Sequence, residues 1–324
     1  MPSSSPPPAQ PSPSQGSAPQ DQRTAHDSAR HVPSSEVLFA LGVERSIAHR
    51  EILEDALNHG TAEQRVIAAR ALGWLRAPQC ARALITGLDD SDPEVRRWVS
   101  ASLSLSWSDQ AGVALINRFQ LELSGEARAA ILRTLGWRRL MEAELLCVTA
   151  LSDDEEPQVR GEAAKALGRI NPHDHVIHLL RATSDVDPTV RRHAVRALTD
   201  CVSSSKTDRE SSREARSQVE EALQPASALT TLLHHAEHDE DAEVRSVALR
   251  ALTHHPDPEV YACLIRSLDD PNPCVRVNAT VALGQRDDPR ACLRLRDGTH
   301  DPHPEVRARA ADALRRLESI EIDS

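Results

Sequence analysis

Fifteen histidines give this 324-residue chain its most obvious capacity for chemistry. The densest group is His234, His235 and His238, beside Asp239 and Asp241. On a helix, His234 and His238 stand four residues apart and share a face, a spacing that suits paired imidazoles on a divalent metal. His173, His175 and His178 form a second group, and His300 with His303 a third. Each group lies near a predicted turn, where solvated imidazoles belong without any ligand. No metal centre is therefore expected. The sequence also contains no G-x-S-x-G, Walker A, G-x-G-x-x-G or H-E-x-x-H pattern. Six cysteines (Cys80, Cys147, Cys201, Cys263, Cys274 and Cys292) form no C-x-x-C pair. Cys147 and Cys263 occupy matching apolar positions, where Cys acts as a small hydrophobe. No catalytic residue and no cofactor is expected.

What the chain does carry is a period. The Arg that ends D-P-E-V-R and its variants falls at Arg65, Arg96, Arg128, Arg160, Arg191, Arg245, Arg276 and Arg307. Successive gaps are 31, 32, 32, 31, 54, 31 and 31 residues. A fixed period of this size is the signature of a stacked repeat array, whose default role is to hold a partner along its surface.

Each repeat spells out its helices. Seven residues after the Arg comes Leu: Leu72, Leu103, Leu135, Leu167, Leu198, Leu252, Leu283 and Leu314. Val usually precedes the Arg, and a small or branched apolar residue follows three positions on. Those offsets share one face at 3.6 residues per turn, so this segment is an amphipathic helix, here called helix B. Four residues before the Arg sit Thr61, Asp92, Ser124, Glu156, Asp187, Asp241, Asn272 and His303. Most are N-cap types, and Pro often follows in the first turn. Gly73, Gly136, Gly168 and Gly284 stand where C-cap glycines are expected. Upstream lies a second short apolar stretch, helix A, often begun near a Pro such as Pro78, Pro172, Pro225, Pro258 or Pro289. The predicted unit is helix A, an acidic turn, then helix B.

The segments DDSDPEVRRWVSASL, EPQVRGEAAKALGRI, DPTVRRHAVRAL and HPEVRARAADAL resemble the HEAT repeat family, in the short form also found in phycobilisome-lyase-type proteins. The resemblance covers roughly residues 45–318 and implies an all-α, right-handed superhelical solenoid of eight repeats. It also implies an Asp–Arg ladder between the turns of adjacent repeats. The Arg members would be the eight markers. The acids would be Asp90, Asp154, Asp185, Asp239, Asp270 and Asp301, each six residues before a marker. Two enzyme families with such repeats fit poorly. Deoxyhypusine hydroxylase is similar in its V-R-H-E-A-A repeats, but Gly161 stands here where its iron-binding His belongs, and no His-Glu dipeptide occurs. The HEAT-like alkylpurine DNA glycosylases imply a basic, aromatic-lined groove. A chain of net charge −11 with one Tyr does not suit it.

Composition sets the domain plan. Residues 1–33, rich in Pro, Ser and Gln, read as a disordered tail with no secretory apolar region. Residues 34–318 read as the solenoid and 319–324 as a C-terminal tail. The 54-residue gap holds an insertion at about 201–223, expected as a surface loop running into a lengthened helix A. No stretch is apolar enough to span a membrane, and a reducing cytoplasmic location is expected.

The functional expectation concerns the polar face of helix B, which lines the concave side in proteins of the resembling family. Five residues after the marker come Arg70, Ala101, Arg133, Lys165, Arg196, Arg250, Val281 and Asp312, a largely basic column. The acids crowd the A–B turns instead. Trp74 and Trp137 lie nine residues after a marker and Trp98 two, all on the polar side. Buried Trp and Arg are common interface anchors. Trp74, Trp98 and Trp137 with Arg70, Arg97 and Arg133, continued by Lys165, Arg196 and Arg250, form the predicted partner site. The expected partner is a protein or an acidic peptide segment, held by a non-enzymatic scaffold. The lyase resemblance supplies the alternative of a phycobilin-lyase subunit, and the basic column the further alternative of nucleic-acid binding.

Overall fold

The computed structural model describes residues 32–203 and 218–323. The rest of the predicted N-terminal tail, and 204–217 of the predicted insertion, lie outside those residues. Among the described residues there are seventeen α-helices and no strand. One layer contains the B helices: α1 (Ser35–Glu44), α3 (Ala62–Trp74), α5 (Pro93–Leu103), α7 (Gly125–Trp137), α9 (Pro157–Ile170), α11 (Pro188–Ser203), α13 (Ala242–Leu252), α15 (Pro273–Gln285) and α17 (Pro304–Asp323). The other contains the A helices: α2 (Arg50–His59), α4 (Ala81–Gly87), α6 (Asp109–Leu121), α8 (Glu144–Asp153), α10 (Val176–Ala182), α12 (Gln218–His238), α14 (Pro258–Arg266) and α16 (Cys292–Gly298). α2 to α17 pair off as eight repeats. The two-layered solenoid predicted from the period is the fold observed.

The core runs as a strip between the layers. The Leu seven residues after each marker is fully buried in seven repeats and 8% exposed at Leu314. Burying one such side chain contributes about 1.5–3 kcal/mol. Helix starts are held by side chains as their types suggest. Thr61, Asp92, Ser124, Asp187, Asp241 and Asn272 accept from backbone N–H groups of the first turn, while Glu156 makes no side-chain cap.

Three features differ from the sequence reading. First, Gly73, Gly136, Gly168 and Gly284 are not C-caps. They lie within their helices, and none has a positive φ. Their role is close approach between B helices. A Cβ on Gly136 would stand 2.7 Å from the Cα of Ala166, and one on Gly168 2.7 Å from the Cβ of Ala197. The left-handed turn residues come three positions later and are Arg76, Arg139 and Asp287, with φ of 50 to 53°. Second, α1 belongs to the same register. Gly42 approaches Ala71 as Gly73 approaches Ser102, and Arg45 takes the left-handed turn as Arg76 does. Both lie 31 residues before their counterparts, so α1 is a further B helix outside the eight pairs. Third, α12 is already helical at Gln218, so Pro225 lies within the lengthened helix A and not near its start.

Successive B helices pack from α1 through α17, whereas the A layer is held chiefly by its own B helices. The small residues along the B–B seam are therefore the spacing element of the array. Gly136→Ala should lower the melting temperature, because the neighbouring backbone cannot yield; an overpacked core position costs about 1–3 kcal/mol. Gly125→Ala should cost less, since the atom it meets is the movable Glu156 side chain. Thermal melts of both variants check this order.

Candidate partner-binding face

The marker Arg positions everything else on the B helices. Each sits one turn into its helix, and all but Arg307 reach in two directions. Arg128 Nη1 donates to the carbonyls of Glu122 and Leu123 in its own turn. Its Nε and Nη2 donate in parallel to Asp154 of the next repeat, at 2.8 and 2.9 Å. The same two-way grip recurs in Arg160 with Asp185, Arg245 with Asp270 and Arg276 with Asp301. Arg65 binds Asp90 likewise. Arg191 reaches Asp239 at 3.0–3.1 Å, so the contact carries across the 54-residue gap. Arg307, last in the array, donates only to the carbonyls of Asp301 and Pro302. Each acid is fixed by its own turn as well. Asp90 Oδ1 also accepts from the N–H of Asp92, which caps the following helix.

One member of this series escaped the sequence reading. Arg96 pairs with Glu122, which is 4% exposed and also accepts from Arg118 and the Ser124 N–H. Its position six residues before Arg128 was the available signal; the longer side chain hid it. Burial pushes the Glu122 carboxyl up, but the bonds from Arg96, Ser124 and Arg118 outweigh this and hold it at about 2.

Two of the three histidine groups have a carboxylate close to one imidazole. His235 Nδ1 lies 2.9 Å from Asp239 Oδ2, beside Arg191, so this imidazole supports the Arg191–Asp239 contact. His175 lies 3.5 Å from Glu144. Among the described residues no three His, Cys, Asp or Glu side chains are placed to hold a metal ion.

On the B face the predicted partner residues divide into two groups. At the N-terminal end, Arg70 stands 4.5 Å from the Trp98 ring centroid and 5.4 Å from that of Trp74. Arg97 covers Trp98 at 4.7 Å, and Trp98 Nε1 donates to Glu94 at 2.9 Å. Phe39 of α1 meets Trp74 edge-on, with centroids 5.6 Å apart. Phe39 was not predicted, because α1 lacks the marker Arg from which the repeats are counted. Trp74 and Trp98 are half-buried in this stack. The second group is centred on α9. Trp137, 63% exposed, lies under Arg169, 4.3 Å away. Arg133 and Lys165 both bind Glu162. Two members of the basic column are thus partly neutralised by an acid that helical phase did not associate with them. Arg196 and Arg250 are exposed and pair with no described carboxylate. The fourth Trp, Trp107, is covered by Arg138 in a B–A connection.

A two-layered helical array joined by Arg–carboxylate contacts defines the protein as an α-solenoid. A family model described as HEAT repeats matches residues 50–122, 112–199 and 229–315. The chain belongs to the HEAT repeat family. No curated protein matches its sequence. Among solved structures it is similar to the E. coli protein YibA, with a TM-score of 0.58 and 18% identity over 89% of this chain and 98% of that one. An engineered protein gives 0.45 and 19% identity, covering 88% and 84%. Human deoxyhypusine hydroxylase with glycerol gives 0.37 and 18%, covering 86% and 99%.

Removing one partner of a buried pair leaves the other charge uncompensated, at a cost of about 3–5 kcal/mol. Glu122→Gln should therefore lower stability at pH 7. In the wild type the Glu122 contribution is complete above the ordinary glutamate pKa of about 4.3. It is lost as pH falls toward about 2. Acid titration followed by circular dichroism should show a smaller stability loss across this window in Glu122→Gln than in wild type.

Proposed function

We propose that the chain is a non-enzymatic adaptor that holds a protein partner on the B face of its array. The observation that carries this reading is the packing of Arg70 against Trp74 and Trp98. A guanidinium stacked on indoles is pre-ordered, so binding sacrifices little side-chain freedom. Aromatic and Arg anchors of this kind dominate the energetics of many interfaces. The column continued by Arg133, Lys165, Arg196 and Arg250 favours an acidic protein or peptide segment. An overall charge of −11 disfavours nucleic acid.

The cysteines support a non-catalytic reading. Burial pushes the thiols of Cys147 and Cys263 up to about 12 and that of Cys80 up to about 11, far from thiolate chemistry. Among the described residues the buried Cys80, Cys147 and Cys263 lie outside any disulfide, which favours a reducing cytoplasmic setting. No described helix is long and apolar enough to cross a membrane.

Affinity capture with wild type beside Arg70→Glu/Trp98→Ala tests this reading. A partner held by the wild type should be weakened about a hundredfold by the folded double variant, as for the loss of two interface anchors. Equal retention by both proteins contradicts it. Co-purification of a visible-absorbing tetrapyrrole without a protein partner would favour the lyase-like alternative.

A further inference from the structure

Midway along the B face, three successive helices bring cations around one carboxylate. Arg133 comes from α7, Lys165 and Arg169 from α9, and Arg196 from α11. Glu162, 5% exposed, is the acid among them. Arg133 Nη2 and Lys165 Nζ both donate to its Oε1, at 2.9 and 2.8 Å. Four cations against one carboxylate leave three positive charges in excess.

Arg169 is the unusual member. Its guanidinium lies over the exposed Trp137 ring, and its buried Nη1 has no hydrogen-bond partner. Glu162 attracts it, while Arg196 and Arg133 repel it. Glu162 Oε2 is likewise buried without a hydrogen-bond partner, so the attraction between Arg169 and Glu162 is not closed by a bond. Arg196 is exposed and pairs with no described acid. His193 shares the site, packed where Gly161 lacks a side chain. Burial and the charges of Lys165, Arg192 and Arg196 push its pKa down to about 4, so it is neutral near pH 7 and adds no further charge.

We propose that the α7–α9–α11 cluster is an oxyanion receptor that seats an acidic side chain of the partner segment, a carboxylate or a phosphorylated residue, against Trp137. The inference rests on the B face being a protein-binding surface and states the chemistry the partner brings to it. Exposed Arg196 donates to the incoming oxygen, Arg169 adds its charge from over the Trp137 ring, and the exposed part of that ring covers the adjoining methylene groups. The acidic A–B turns repel a long polyanion, so a short acidic segment is accepted and an extended nucleic-acid backbone is not.

The test uses the full chain and three fluorescein-labelled peptides of equal length, one rich in Glu, one carrying phosphoserines and one with Gln at the same positions. Fluorescence anisotropy at low salt should show binding of the acidic peptides and not of the Gln peptide. Arg196→Gln and Arg169→Gln should each weaken that binding about tenfold, as for the loss of one charged contact. Arg82→Gln, which removes the same charge from the A layer, should change it by less than about twofold. Preference between the two acidic peptides identifies the source of the oxyanion. Arg196 is exposed, so its variant keeps the test decisive if Arg169→Gln fails to fold. The inference is overturned if neither acidic peptide binds, if Arg82→Gln weakens binding as much as Arg196→Gln, or if a duplex oligonucleotide binds more tightly than both. Peptide failure with a captured partner that still depends on Arg70 and Trp98 removes this receptor and leaves the adaptor reading standing.

Discussion

Everything in this array depends on a guanidinium that serves two repeats at once. One edge of each marker Arg closes its own A–B turn through backbone carbonyls, and in every one but the last the other edge binds a carboxylate of the next turn. The planar fork makes both contacts with fixed geometry, which a Lys ammonium could not. The acceptor is itself fixed, because its second role is to hold the N–H of the residue that caps the next helix. Turn, cap and inter-repeat contact are therefore one hydrogen-bonded unit repeated along the chain. Solenoid stability is approximately a sum of such repeat and interface contributions.

That unit explains why a chain with few aromatic residues can present an organised face. The contacts at the turns set one end of each B helix. The glycines near the other end set how closely its neighbour approaches. Between these two constraints, side chains at the same offset in successive repeats line up as columns. Arg70 can then sit against rings from two helices, and Arg133 can reach across to Glu162 of the next repeat. The arrangement also survives the insertion, because Arg191 still finds Asp239 although 48 residues separate them.

Much of this was legible in the sequence. The period revealed the array, the invariant Leu marked the core strip, and the N-cap types marked most helix starts. Features that depend on a neighbouring repeat were harder to read. Gly73 and its equivalents looked like helix ends, yet their missing side chains make room for the next helix. Helical phase placed Arg133 and Lys165 on the polar face but could not show that Glu162, three residues before Lys165 and on the helix next to Arg133, sits between them. Glu122 broke the Asp pattern by one methylene. α1 lacked the marker Arg, since Ser34 stands at that position, and its membership shows in Leu41, Gly42 and Arg45. Helical periodicity describes one helix at a time, whereas these side chains are chosen for the helix beside it.

The most direct test of the account is a double-mutant cycle on Arg128 and Asp154, using Arg128→Ala, Asp154→Ala and the pair, each measured by denaturant unfolding. If the two-way Arg contact couples adjacent repeats, the cycle should give an interaction energy of about 2 kcal/mol or more. Hydrogen exchange should then loosen together in α7 and α9. Additive losses within about 0.5 kcal/mol, with exchange rising in one repeat alone, would contradict the claim that this contact joins the array.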